Sequence, residues 1–228
     1  MKPVKKISVL LAEDHTIVRE GFHRMLDMED DLQVVGEAKT GREAVAMFTK
    51  LRPDVVLMDI AMPLLNGLEA TRQIVLAHAD ARIVMLSAHS DDAYVDDAAA
   101  AGARGFLLKQ TSSHVVVEAI REVMQGKTYF CNEISKRMKG RDVQEAPKAG
   151  SRKSRHSTLT SREMEVLQLI AEGKANKQTA AELGIGIKTV EKHREHLMSK
   201  LDIHDTAGLT RYAISAGIIE SSVQVTII

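Results

Sequence analysis

The sequence predicts two folds in one chain: an α/β domain on a five-stranded, doubly wound parallel sheet, then an all-α domain of four helices. Three observations predict it. Over the first 125 residues, short runs that are apolar almost throughout alternate with longer amphipathic stretches, the pattern of parallel strands covered on both faces. From Lys127 to about Ser157 the chain turns polar and basic, with Pro147 and several Gly and Ser residues, as a tether would. Beyond Leu159 the strand signals vanish. The expected divisions are therefore 5–126, 127–157 and 158–220.

In order, the apolar β-type runs fall at 7–12, 32–35, 55–58, 82–86 and 105–108. Helical periodicity fills the gaps at roughly 16–28, 41–51, 67–79, 91–101 and 113–125, which makes five βα units. A short helix is expected near 132–139 at the start of the tether. The second domain reads as helices at 161–171, 177–183, 187–201 and 205–216, with Gly173, Gly184 and Gly217 where helix C-caps want them. Thr160 and Glu163 have the spacing of a capping box, with Thr158 as an alternative cap. Val190, Leu197 and Leu201 recur at helical spacing and should pack with Leu167, Ile170, Ala180 and Leu183. The apolar tail 223–228 suggests no function.

Composition narrows the class. Hydrophobic residues at 44% and charged residues at 27% suit a globular chain with a buried core. Behind Lys2, Lys5 and Lys6 the apolar run is only six residues before Glu13 and Asp14, too short for a signal segment or a membrane span. The single cysteine, Cys131, forms no internal disulfide and fits a reducing cytoplasm. The zero net charge hides an asymmetry: residues 1–130 carry 15 Lys and Arg against 19 Asp and Glu, and the remainder 16 against 12. An acidic half beside a basic one favours nucleic acid as partner of the second.

In an open parallel sheet, functional groups gather beyond the carboxyl ends of the strands. Glu13 and Asp14 follow the first expected strand, Asp59 the third, Ser87 the fourth and Lys109 the fifth. Any one of these is ordinarily a cap or a surface charge; five of complementary type on four strand ends are expected to converge. Three carboxylates together need a cation, and an all-oxygen set suits Mg2+. Asp14 and Asp59 are expected as direct ligands, Glu13 through water, and Ala61 through its backbone carbonyl. Asp59 is the expected nucleophile toward a phosphoryl group, with Lys109 and Ser87 meeting its oxygens.

The string Leu57-Met58-Asp59-Ile60-Ala61-Met62-Pro63 with Asn66-Gly67, the pairs Glu13-Asp14 and Ser87-Ala88, and Gly105-Phe106-Leu107-Leu108-Lys109 resemble the flavodoxin-like receiver domain of two-component response regulators. The resemblance spans residues 5–126. It implies phosphorylation of Asp59 by a sensor histidine kinase, and a switch in which the Ser87 hydroxyl moves toward the phosphate while Phe106 rotates inward. Phe106 stands where many relatives have Tyr. From the carboxylates alone a Mg2+-dependent hydrolase stays open; a DNA reader and the lack of a substrate-capping insertion count against it.

The turn Leu183-Gly184-Ile185-Gly186 lies between a short helix and a longer one bearing Lys188, Lys192, His193, Arg194 and Lys200, the signature of a helix-turn-helix. Leu159-Thr160-Ser161-Arg162-Glu163, Glu172-Gly173-Lys174, Asn176-Lys177, Ala180-Ala181-Glu182-Leu183 and Thr189-Val190-Glu191-Lys192-His193-Arg194 resemble the LuxR-type DNA-binding domain of the NarL/FixJ class. This implies double-stranded promoter DNA as ligand, RNA polymerase as a further partner, and Asn176, Lys177 and Thr189 joining the basic residues in the DNA-binding set. It also implies a homodimer formed through the last helix. Two departures stand out. Gly186 replaces the usual Ser or Thr cap, and Thr179 replaces an aliphatic residue, leaving a hydroxyl in need of a partner. Arg152, Lys153 and Arg155 in the tether are expected to add nonspecific attraction to DNA. A constitutive DNA binder with a merely scaffolding first domain is the remaining alternative.

Overall fold

The computed structural model describes residues 6–88, 92–130 and 159–219. It divides into two units, Met1–Ser154 and Arg155–Ile228. The first runs β1 (Ile7–Ala12), α1 (Thr16–Asp27), β2 (Leu32–Ala38), α2 (Gly41–Leu51), β3 (Val55–Asp59), α3 (Gly67–Ala77), β4 (Ile83–Ser87), α4 (Asp92–Ala101), β5 (Gly105–Leu108), α5 (Ser113–Met124) and β6 (Tyr129–Phe130). All strand pairs are parallel, in the order β2-β1-β3-β4-β5-β6. β3 and β4 are buried along their whole length because helices cover both faces. One core layer holds Leu10, Val56, Met58, Ile83, Met85 and Phe106. The other holds Val9, Leu11, Leu57, Val84, Leu86 and the inner face of α5.

The sheet has six strands rather than the expected five. Tyr129 and Phe130 pair with Gly105 and Phe106 in the stretch expected to be tether; two residues are too few for periodicity to register. β2 runs three residues past the expected end, because it is an edge strand and its exposed Gln33 and Glu37 break the apolar run. β3 and β4 each reach one residue further, so Asp59 and Ser87 are the terminal strand residues themselves.

The second unit contains α6 (Ser161–Ala171), α7 (Asn176–Leu183), α8 (Ile187–Leu201) and α9 (Thr206–Ser215). Thr160 and Glu163 form the expected capping box. Val166, Leu167, Ile170, Ala180, Leu183, Val190 and Leu197 are all buried. Leu201, expected among them, is only partly buried. The helix expected near 132–139, Cys131, the basic trio Arg152, Lys153 and Arg155, Thr158 and the tail 223–228 lie outside the described residues. Among the described residues no helix is long and apolar enough to cross a membrane.

An acidic pocket at the strand ends and a helix-turn-helix

β1, β3 and β5 end side by side or one strand apart, so the chain immediately after each of them opens onto one crevice. Glu13 follows β1 and is fixed by its N–H donating to Ala38 O at 3.0 Å. Asp59 closes β3, opposite Leu86 of β4. Lys109 follows β5, its N–H donating to Ser87 O at 2.8 Å, which locks the ends of β4 and β5 together. The Lys109 ammonium then reaches across to Glu13 Oε2 at 2.8 Å and Asp59 Oδ1 at 3.0 Å. Glu13, Asp14, His15 and Asp59 each bring one ligand atom into a cluster no wider than 4.8 Å.

The electrostatics follow from crowding. Asp59 is 1% exposed. Burial, then the Glu13 charge, push its carboxyl up to about 7 against the opposing pull of Lys109. Burial works against the Lys109 ammonium, yet Asp59 and Glu13 outweigh it and hold the lysine above its usual value. One oxygen of Asp59 meets Lys109; Oδ2 is buried without a hydrogen-bond partner among the described residues. An anionic oxygen in that position is stable only beside a cation. The all-oxygen set of Glu13, Asp14 and Asp59 fits a hard divalent ion.

The other expected site residues take definite places. Ser87 is buried at the end of β4, and Ala61 is half-buried in the loop after β3. Phe106 is buried in the same core layer as Ile83 and Met85, its ring already inside. That loop is built for close approach. Asn66 caps α3 through Glu69 N–H at 2.9 Å, and Gly67 donates to Ile60 O at 2.8 Å. A β-carbon on Gly67 would stand 1.9 Å from the Asp59 carbonyl oxygen. Sequence reasoning passed over His15, whose Nδ1 lies 2.9 Å from Asp14 Oδ1 and 3.2 Å from Glu13 Oε1. The Asp14 charge raises its pKa. Its adjacency to the acidic pair was the available signal.

In the second unit α7 and α8 meet at a tight turn. Gly184 has φ 63, the left-handed conformation that closes α7, and Gly186 caps α8 with no side-chain acceptor. Arg162 of α6 donates to Leu183 O at 2.8 Å and so holds the turn from below. Lys177, Lys188, Thr189 and Lys192 are exposed; Asn176, His193 and Arg194 are half-buried. Arg194 donates to Asn176 Oδ1 at 3.4 Å and to the Thr206 hydroxyl, bracing α8 against α7 and α9. Lys200 does not project freely: its ammonium binds Glu163 Oε2 at 2.7 Å, reinforcing the capping box of α6.

Residues 9–121 match the family described as the response regulator receiver domain, and residues 157–213 the luxR family of bacterial regulatory proteins. The transcriptional regulatory protein LiaR of Bacillus subtilis is 39% identical over 91% of this chain and 96% of its own length. The response regulator UvrY of Escherichia coli is 36% identical over 93% of this chain and 95% of its own. The chain belongs to the LuxR-type response regulators. Among solved structures, a LuxR-family two-component response regulator from an Aurantimonas species matches 61% of this regulator and all of that chain, at a TM-score of 0.57 and 31% identity. The family is one of transcription regulators and not of enzymes, which removes the hydrolase alternative.

Thr179 is fully buried, and its hydroxyl finds no partner among the described residues. Thr179→Val is expected to stabilise the second unit by about 1 to 2 kcal/mol, since an unmet buried hydroxyl costs that much. Urea unfolding followed on helical signals of that unit measures the change; a loss of stability is the contrary result.

Proposed function

We propose that Asp59 accepts a phosphoryl group from a sensor histidine kinase, and that this charge change licenses the helix-turn-helix to bind promoter DNA as a dimer. The observation that carries the reading is the asymmetry of Asp59: Oδ1 is paired with Lys109, and Oδ2 is buried and free to react. Mg2+ would be held directly by Asp14 and Asp59, through water by Glu13, and by the Ala61 carbonyl. When bound, it screens the charge of the incoming phosphoryl oxygens. Asp59 Oδ2 attacks phosphorus, the bond from phosphorus to the donor's imidazole nitrogen breaks, and its electron pair leaves with the imidazole. The product is an aspartyl phosphate. Lys109 then pairs with a phosphoryl oxygen and the Ser87 hydroxyl donates to another. The ends of β4 and β5, already joined through the Lys109 N–H, move as a pair, and Phe106 lies on β5, which ends one residue before Lys109. Such a paired displacement is a two-state element of the kind a switch requires.

At the DNA, Lys188, Thr189 and Lys192 on the exposed face of α8, with Lys177 at the start of α7, contact phosphates and base edges. His193 flanks them, while Asn176 and Arg194 hold the angle between the helices. Lys200 serves through its grip on Glu163. A dimer on two half-sites, formed through α9, doubles the phosphate contacts, and RNA polymerase at that promoter in the cytoplasm is the partner acted upon. The test incubates the full chain and its Asp59→Asn variant with acetyl phosphate and Mg2+, then scores a hydroxylamine-labile acyl phosphate by intact mass. Wild type alone is expected to carry it, and footprinting of promoter DNA should strengthen with it. Absence of the adduct from wild type leaves a constitutive DNA binder.

A further inference from the structure

Arg19 lies on the first turn of α1, on the face it shares with Phe22 and Leu26, and is 4% exposed. A guanidinium so placed loses its hydration and is stable only if its donors are used. They are. Nε donates to Glu37 Oε2 at 2.9 Å, and Nη1 donates to the main-chain carbonyls of Glu13 at 2.9 Å and Asp14 at 3.3 Å. Glu37 pairs with Leu11 in the β1 to β2 register and is gripped on its other oxygen by His23 Nδ1. A rigid fork, anchored on the edge strand, thus takes hold of the backbone at the two residues whose carboxylates cluster with Asp59.

We propose that Arg19 is a positioning residue for the divalent-cation site: by fixing the peptide planes of Glu13 and Asp14 it preorganises their carboxylates. The inference rests on reading the acidic cluster as a cation site. It makes a prediction whose sign separates it from simple electrostatics. Arg19 is a positive charge beside the pocket, so on charge alone its removal should tighten cation binding. Positioning predicts the reverse, since losing an outer support of a metal site costs about 10- to 100-fold in affinity. Lysine in its place keeps the charge and loses the fork.

The test measures Mn2+ binding to the full-length protein by electron paramagnetic resonance of the free ion, well below the unfolding temperature. Wild type, Arg19→Gln and Arg19→Lys are compared, with urea unfolding in parallel. Arg19→Gln is expected to raise the Kd about tenfold, and Arg19→Lys to raise it by less. Affinity equal to or tighter than wild type in a folded Arg19→Gln overturns the proposal, even with stability reduced. If Arg19→Gln does not fold, Arg19→Lys decides, and wild-type affinity in that variant overturns it. Failure of wild type to bind Mn2+ overturns the cation site itself, and the positioning role with it.

Discussion

Freed of divalent cations, the N-terminal unit is expected to lose stability as pH rises from the ordinary aspartate value of 3.8 to about 7, and Asp59→Asn is expected to abolish that loss below 6.5, above which His15, its value raised by Asp14, adds a loss of the same sign. The sign follows from linkage: Asp59 holds its proton more tightly folded than unfolded. Its contribution is therefore complete below 3.8 and disappears as pH passes through about 7. The gap between the two values, with the Lys109 pairing already included, corresponds to at most about 4 kcal/mol, and solvent relaxation reduces it to about 2 to 4 kcal/mol. Asparagine keeps the shape of the protonated acid and adds no third negative charge to the pocket. Asp31 and Glu37, whose values are lowered by hydrogen bonds to Arg121 and to His23 respectively, act in the opposite sense. Their contributions are lost only as pH falls below 3.8 and 4.5, so the two limbs of the profile overlap only between 3.8 and 4.5. Calorimetry between pH 4 and 8 in EDTA reads the effect, and millimolar Mg2+ should restore the wild type selectively. A flat wild-type profile, or an unchanged slope in Asp59→Asn, contradicts the crowded pocket.

Gly67→Ala is expected to be the most damaging single methyl group in the first unit, costing more than about 3 kcal/mol. The new carbon would lie 1.9 Å from the Asp59 carbonyl oxygen and 2.9 Å from its carbon, both backbone atoms in a buried strand. No rotamer change relieves it. Either α3 or the end of β3 must shift, and Mn2+ affinity should fall with stability because Asp59 sits at that end. Gly21→Ala is the internal control, because nothing lies within 4 Å of its added carbon in the middle of α1. There the methyl should raise stability by about 0.5 to 1 kcal/mol, through helix propensity and a less free unfolded chain. Equal effects at the two glycines would refute the close approach.

The acidic pocket was legible in the sequence because a parallel sheet brings strand ends together wherever they fall in the chain. Glu13, Asp14, Asp59 and Lys109 needed only that rule. What escaped were partners fixed by tertiary register. Arg19 was passed over, although its spacing of three and seven from Phe22 and Leu26 puts it on an inward face. Its acceptor Glu37 depends on how β2 aligns with β1, across a register shift that no periodicity encodes. Lys200 read as one more cation of a basic helix, since nothing local shows that Glu163, 37 residues earlier, would claim it. The capping box itself spans three residues and was therefore readable.

β6 sits at the edge of the described sheet, paired with β5. Among the described residues its one strand neighbour is β5, and the Tyr129 N–H donates to Arg104 O at 2.8 Å. A pull on Lys109, just beyond β5, is therefore expected to travel along that strand to the pair it makes with Tyr129 and Phe130. Amide exchange at Tyr129 should register phosphorylation as a change in protection; an indifferent amide would mean that the pull dies within the strand.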